Sequence, residues 1–287
     1  MATHVALISI IHDCTADVIA CASYARRKTN AESIHQLRTA IRRLRGALSI
    51  SRSVTCEPPT ALVGGVRTLQ RELGTAREWD VLIQDMIGTM PQRIVFQKGF
   101  GETVKAAKVR RTTEDERARH AFKDPRCTDL LLQLTAWTDR RLDIATDRAQ
   151  NVAGGTIDDF AAQFLVARQR KVHKLAKKIQ KLDAEGLHKL RIRIKKLRYT
   201  VEFFRDLWRG TRVKKYLAIL KRVQDSLGTA HDAIVSARLI ADLDPNFRRK
   251  DKPGKSLLDD WAAASLERER HQAARLLRKL KRLKPLT

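Results

Sequence analysis

The chain has 287 residues, of which 43% are hydrophobic, 5% aromatic and 31% charged, and its formal net charge is +26. The hydrophobic share suffices for a large core and excludes wholesale disorder. The low aromatic content argues against a single-stranded nucleic-acid binder that works by base stacking. Because so large a positive charge raises the internal repulsion of a compact chain, we expect a polyanionic partner, which the charge alone leaves open as nucleic acid, an anionic membrane or a polyphosphate-like polymer.

Apolar residues recur with a helical period from the first residues onward, and strand-type alternation is nearly absent. Four apolar seams carry this period: Leu7, Ile11, Cys14, Val18 and Cys21; Leu37, Ile41, Leu44 and Leu48; Val172, Leu175, Ile179 and Leu182; Leu190, Ile194, Leu197 and Val201. Turn-forming residues interrupt it at 56–60, 88–92, 123–126, 153–155, 244–245 and 252–254. The pattern predicts an all-α bundle of about ten helices.

Three further expectations follow from residues that are missing. The four cysteines form no CxxC pair and no cluster with zinc spacing, so we expect reduced thiols, no metal and no cofactor. The N-terminus lacks a basic segment before its apolar run, and no run of about 18 apolar residues occurs, so neither a signal peptide nor a membrane helix is expected. The sequence predicts a cytoplasmic protein without a membrane partner.

An eleven-residue basic motif occurs twice. HQLRTAIRRLR at 35–45 returns as HKLRIRIKKLR at 188–198, with few acidic residues nearby. Asn30 and Asp183 are matching candidates for the helix N-cap, and Glu32 and Glu185 lie in the matching first turns, where a helix dipole favours acids.

A second block recurs in the same order. LQRELGTAREWDV at 69–81 matches VQDSLGTAHDAIV at 223–235, so that LGTA appears twice, and Arg67 aligns with Lys221. Two blocks in the same order indicate a duplicated helical unit. We therefore expect one domain of residues 1–287 with helical halves at 1–153 and 156–287, joined at Gly154-Gly155.

The basic residues of each motif form a row beside the apolar seam. With His35 at 0° on a helical wheel, Arg38, Arg42 and Arg45 fall at about 300°, 340° and 280°, whereas Arg43 points elsewhere. We call His35, Arg38, Arg42 and Arg45 the N-terminal row, and His188, Arg191, Lys195 and Arg198 the C-terminal row. Lys171, Lys174, Lys178 and Lys181 have the same spacing and predict a third row on the preceding helix.

A run of charge on a helix is usually a solvated surface, and a single histidine is more often structural than functional. Solvated faces normally mix signs, however, because like charges at i,i+4 repel by a few tenths of a kcal/mol. Here the acids are missing in both copies. Rows that line a groove would form a cationic trough, in which arginine donates paired hydrogen bonds to phosphate oxygens.

These two motifs, in this order and duplicated, resemble the CHAD family, the conserved histidine α-helical domain, over about residues 5 to 283. The resemblance implies two helical bundles related by pseudo-twofold symmetry around a basic central channel or groove. It also implies binding of inorganic polyphosphate and localisation at polyphosphate granules. The family's histidine and basic positions correspond to the two rows, and we add Arg67, Lys171, Lys174, Lys178 and Lys221 as candidate ligands.

The second block departs from the family pattern in both copies. Glu78 stands where the family commonly has aspartate, and Ile234 replaces the counterpart of Asp80. For this reason we expect structural salt bridges from Arg77, Glu78 and Asp80. The chain lacks the ExExK strand motif of a triphosphate-tunnel domain, so it resembles a stand-alone CHAD protein.

Three functions remain open from the sequence. The leading hypothesis is non-catalytic polyphosphate binding. The alternative is a basic helical protein that binds nucleic acid without sequence specificity, although no helix-turn-helix, zinc-finger or RNP signature occurs. A phosphoryl-transfer enzyme is disfavoured because there is no P-loop and the rows lack carboxylates that would hold Mg²⁺.

Overall fold

A computed structural model describes residues 3–28, 30–51, 58–148, 156–249, 252–284 and 286. These residues are helical almost throughout and contain no β-strand, which confirms the all-α prediction. The helices are α1 (Thr3–Arg27), α2 (Ala31–Ser51), α3 (Thr60–Asp80), α4 (Gln92–Val95), α5 (Phe100–Lys123), α6 (Pro125–Arg148), α7 (Ile157–Ala176), α8 (Ala184–Phe203), α9 (Gly210–Leu243), α10 (Pro245–Arg248) and α11 (Pro253–Arg282).

The chain divides into two compact units made of alternating segments. Unit 1 comprises Met1–Arg77 and Asp115–Leu165, and unit 2 comprises Glu78–Glu114 and Val166–Thr287. These units are defined by contacts within each of them, whereas the helical halves 1–153 and 156–287 were inferred from the duplicated sequence. That division into halves stays a prediction, and its joint at Gly154-Gly155 lies outside the described residues.

The core of unit 1 is built on α1, which packs against α2 and α6. Leu7, Ile11, Cys14 and Val18 are buried as the first seam predicts, whereas Cys21 at the end of the seam is half-buried. By length and composition alone α1 could cross a membrane. Within unit 1, nine of its side chains are buried, as in a core helix of a helical bundle.

The core of unit 2 surrounds α9, which packs against α8, α10 and α11. Its members include Trp79, Leu82, Ile94, Phe247 and Trp261. Between α3 and α4 the chain forms a π-helical turn at Val81–Met86 and a 3₁₀ turn at Ile87–Thr89. Leu82 and Met86 of the π-helical turn are buried in this core, so the irregular segment is held by packing.

Most helix boundaries fall where the turn residues predict them. Proline occupies the first position of α6, α10 and α11, where its missing N–H removes no helical hydrogen bond. The interruptions at 88–92, 123–126, 244–245 and 252–254 are therefore confirmed. The interruption at 153–155, and residues 56 and 57 of the one at 56–60, lie outside the described residues.

The prediction of a third basic row on one helix is wrong. Helix α7 ends at Ala176, and a 3₁₀ turn follows at Ile179–Lys181. Leu182 and Asp183 are extended where α8 begins, so the chain must leave the α7 conformation before them. Lys171 and Lys174 therefore lie on α7, while Lys178 and Lys181 belong to the connecting turn.

Candidate functional site

The N-terminal row lies on α2, and a cap at the start of that helix fixes its position. The Asn30 side chain accepts a hydrogen bond from the Ser33 N–H at 2.8 Å, and the Asn30 N–H donates to Ser33 Oγ at 3.0 Å. The four members of the row, His35, Arg38, Arg42 and Arg45, are all half-buried. They border the buried seam of α2, as the helical wheel predicts.

The C-terminal row lies on α8 and repeats this arrangement. Asp183 is the N-cap, and its carboxylate accepts a hydrogen bond from the Gly186 N–H at 2.7 Å. The four members of the row, His188, Arg191, Lys195 and Arg198, are again half-buried. The duplicated sequence thus produces the same cap and the same degree of burial in both units.

The second residue of each row lies against the glycine of LGTA. In unit 1, Nη1 of Arg38 donates hydrogen bonds to the carbonyl oxygens of Leu73 at 2.6 Å and Gly74 at 2.7 Å. In unit 2, a methyl group at Gly228 would lie 3.7 Å from Nη2 of Arg191, in van der Waals contact. The basic motif and LGTA recur together because the arginine of one packs over the glycine of the other.

The last residue of each row is held by a glutamine. Nη1 of Arg45 donates to Oε1 of Gln70 at 2.6 Å, and Nε of Arg198 donates to Oε1 of Gln224 at 3.0 Å. Gln70 and Gln224 occupy the same position of the second block, three residues before leucine in LGTA. An amide acceptor fixes the guanidinium without cancelling its charge.

The two ends of the rows differ in their other neighbours. Arg198 forms an ion pair with Glu202 at 2.7 Å and lies over the ring of Tyr199 at 5.0 Å from its centroid. Arg45 forms no ion pair with a carboxylate among the described residues, and Arg67 is a nearby cation. Burial, and secondarily Arg67, lowers the pKa of Arg45.

The first residue of each row is a histidine whose surroundings disfavour the charged form and lower its pKa. Burial, and then the charge of Arg77, lowers the pKa of His35. Burial, followed by Arg191 and Lys195, lowers the pKa of His188. The Nδ1 atom of His188 is buried and has no hydrogen-bond partner among the described residues. An imidazole in this setting would gain charge beside an anion.

His231 is a second imidazole at the C-terminal row. Its ring centroid lies 4.9 Å from that of His188. Burial, followed by Arg191, His188 and further cations, lowers the pKa of His231 to about 4. The equivalent position of the first block is Arg77, so the first copy places a fixed cation beside the row's histidine and the second copy places another imidazole there.

The carboxylates of the second block form salt bridges, as predicted for Glu78 and Asp80. Asp80 is only 3% exposed and lies 2.6 Å from Nε of Arg111, and Glu78 lies 3.2 Å from Arg238. No group of three or more His, Cys, Asp or Glu side chains that could hold a metal ion occurs within the described residues. Both ion pairs, of Asp80 and of Glu78, join residues within unit 2.

The remaining candidate ligands are solvent-exposed. Arg67 on α3 and Lys221 on α9 are exposed, and so are Lys171, Lys174 and Lys178. Arg67 and Lys221 each lie one helical turn before the glutamine that holds a row arginine, so they share its helix face. The backbone carbonyl of Lys171 accepts a hydrogen bond from Nη1 of Arg193 at 2.9 Å, which ties α7 to α8 within unit 2.

Sequence reasoning missed Gln70, Gln224, Glu202 and the pairing of His188 with His231. The two glutamines carried a signal, since they agree in identity within the duplicated block. Glu202 carried another, since it stands four residues after Arg198 on one helix face. The histidine pair joins α8 to α9 and has no signature in local spacing.

An all-α protein with duplicated, half-buried cationic rows is the class that this geometry defines. The model of the CHAD domain family matches residues 9–241. The chain belongs to the CHAD family, which is linked to polyphosphate and to phosphate-related proteins.

Two solved structures and one curated protein resemble the chain. The crystal structure of the CHAD domain from the plant Ricinus communis matches with a TM-score of 0.81 and 26% identity, covering 99% of this chain and 93% of that one. PptA from Streptomyces chartreusis matches with a TM-score of 0.61 and 13% identity, over 98% and 99% of the two chains, and shows a similar fold.

The curated relative is the uncharacterized protein MT2285 of Mycobacterium tuberculosis (strain CDC 1551 / Oshkosh). It is 27% identical over 263 residues, which cover 87% of this chain and 48% of that protein. The chain therefore spans about half the length of the curated relative that it matches.

Proposed function

We propose that this chain is a non-catalytic module that binds inorganic polyphosphate through its N-terminal and C-terminal rows. The observation that carries the proposal is the duplication of a half-buried cationic row whose last arginine is fixed by a neutral amide, Gln70 or Gln224. A positioned guanidinium donates two parallel hydrogen bonds to phosphate oxygens. Half-burial strengthens this attraction because less water screens it.

Family membership supports polyphosphate as the polyanion, since CHAD proteins are linked to it. Polyphosphate is a chain of identical charged phosphates with no bases to recognise. Rows made of cationic hydrogen-bond donors suit such a polymer. Localisation at polyphosphate granules in the cytoplasm is part of the same proposal. The common basic channel and the pseudo-twofold symmetry implied by the resemblance stay predictions.

A salt series with a competitor tests the proposal. Binding of fluorescent long-chain polyphosphate should weaken linearly on a plot of log affinity against log salt concentration, because each neutralised phosphate releases counterions. Duplex DNA at equal phosphate concentration should displace little of it. If DNA or RNA displaces polyphosphate as well as unlabelled polyphosphate does, the protein is a non-specific nucleic-acid binder and the proposal is wrong.

The non-catalytic part has its own test. Purified protein incubated with polyphosphate and Mg²⁺ should release no orthophosphate above a protein-free control, and chain lengths on a gel should stay unchanged. Metal-dependent release that follows the protein through purification would replace binding by catalysis as the function.

A further inference from the structure

The last residues of the two rows, Arg45 and Arg198, have similar neighbours but differ in the charge beside them. Both end in an arginine held by a glutamine, and both have a cation one turn before that glutamine, Arg67 or Lys221. Four residues after the arginine, however, α2 has Ser49 where α8 has Glu202. Glu202 forms an ion pair with Arg198 at 2.7 Å, and Ser49 offers no charge to Arg45.

The ion pair at Arg198 is well enough protected to compete with a ligand. The Arg198 and Glu202 side chains are only 19% and 24% exposed, so water screens the pair less than at an open surface. Tyr199 and Gln224 hold the same guanidinium from other sides. An incoming phosphate must therefore displace a carboxylate that is already in position.

Arg45 has the opposite balance. Its half-buried guanidinium is fixed by Gln70, and its neighbour Arg67 is a cation. Burial, and to a lesser degree the charge of Arg67, disfavours the charged form of Arg45 and lowers its pKa. An anion placed between Arg45 and Arg67 would relieve both effects at once.

We infer that Arg45, Arg67 and Gln70 form the stronger phosphate subsite, and that Glu202 closes the equivalent subsite at Arg198 by acting as an internal counter-anion. The inference rests on the proposed function and adds that the two copies are unequal. A short phosphate chain binds at Arg45 and leaves Arg198 with Glu202.

Titration calorimetry with tripolyphosphate tests this inference on the full chain. Arg45→Gln should weaken binding about tenfold or more, the effect of losing one charge-assisted hydrogen-bonding group. Ser49→Glu, which supplies the counter-anion that α8 already has, should weaken binding similarly. Arg198→Gln should change the affinity for this short chain less than about threefold, because Glu202 already pairs with Arg198.

The decisive variant is Glu202→Gln, which keeps the shape of the side chain and removes its charge. We expect it to add a second binding event for tripolyphosphate or to raise the affinity several-fold. Glu185→Gln is the matched control, because Glu185 lies on the same helix, pairs with Lys189 at 2.6 Å and is exposed. It changes net charge equally and should leave the titration unchanged.

Each outcome has a consequence. If Arg198→Gln weakens binding as much as Arg45→Gln, or if Glu202→Gln behaves like Glu185→Gln, the inference is overturned and the proposed function stands. If tripolyphosphate fails to bind while long chains bind, the subsite at Arg45, Arg67 and Gln70 is refuted and the proposed function stands. If neither binds the unaltered chain, the proposed function itself is refuted. Circular dichroism checks folding, and Glu202→Gln decides the matter even where an arginine variant misfolds.

Discussion

The imidazole rings of His188 and His231 lie 4.9 Å apart between centroids, inclined at 40° to each other. His188 begins the C-terminal row on α8, and His231 follows LGTA on α9. Arg191 and Lys195 act on both rings, and His231 also lies near Arg238, which is paired with Glu78. Two neutral imidazoles thus lie among fixed cations at the C-terminal row, where we propose that phosphate binds.

Polyphosphate affinity should increase as the pH falls. Burial and cations hold the pKa of His188 below its ordinary value and that of His231 at about 4, so both rings are neutral at neutral pH. A bound polyanion favours the charged rings and raises both pKa values, so binding takes up protons. Fluorescence polarisation at constant ionic strength should show tighter binding at about pH 5.5 than at about pH 7.5. His231→Gln should reduce that difference in affinity. If the unaltered protein binds equally well at both pH values, or more weakly at the lower one, protonation of His188 and His231 does not assist binding.

The protein without polyphosphate should become less stable as the pH falls. Because the folded state holds the pKa of His231 at about 4, against about 6.5 in an unfolded chain, the unfolded state binds more protons between these values. Stability is therefore present above the unfolded value and decreases as the pH falls towards 4. Thermal unfolding with and without polyphosphate should show a larger stabilisation by the ligand at low pH than at neutral pH.

Alanine should be accepted at Gly74, and a longer side chain should not. A methyl group there would lie 3.6 Å from Nη1 of Arg38, an ordinary contact distance. Gly74→Ala should raise the free energy of unfolding by about 0.5–1 kcal/mol, because glycine is unfavourable inside a helix. Gly74→Leu should displace Arg38 from the carbonyl oxygens of Leu73 and Gly74, and lower both stability and polyphosphate affinity. Chemical denaturation measures the first effect, and a destabilised Gly74→Ala would refute the packing argument.

Loss of the Asp80 charge should lower the free energy of unfolding and leave polyphosphate affinity unchanged. Removing its charge leaves Arg111 without this buried carboxylate, so Asp80→Asn should cost about 2–4 kcal/mol. Glu78→Gln affects an exposed pair and should cost less than about 1 kcal/mol. Chemical denaturation compares the two variants. A folded Asp80→Asn protein that lost polyphosphate binding would assign this carboxylate to the site.

The helices and the two rows were predictable because local chemistry specifies them. Asn30 and Asp183 are good caps in any helix, and the spacing of Leu37, Ile41 and Leu44 defines a buried face without tertiary information. Duplication added a second, independent instance of each signal.

Other features depended on where helices end and meet. Nothing in the local sequence shows that α7 ends at Ala176, since Lys177 and Lys178 continue the helical pattern. The prediction of a third row on one helix was wrong for that reason. The contact of Arg38 with Gly74, and of His188 with His231, joins residues far apart in the chain. Such contacts follow from packing, which residue spacing does not encode.

Under the proposed function, the two rows bind polyphosphate through specific side chains and not through diffuse positive charge. The chain supplies a matched comparison, because Arg42 and Lys195 lie in the rows while Arg43 and Lys196 follow them directly and point elsewhere. Arg43 pairs with Asp17 at 3.0 Å, and Lys196 is exposed. The double variants Arg42→Gln/Lys195→Gln and Arg43→Gln/Lys196→Gln therefore remove the same charge from different faces.

The most direct measurement is the affinity of these two double variants for long-chain polyphosphate at one salt concentration. We expect Arg42→Gln/Lys195→Gln to weaken binding about tenfold or more, whereas Arg43→Gln/Lys196→Gln should weaken it less than about threefold. Equal losses in the two variants would show that net charge alone attracts the polymer, and binding by the rows would be refuted.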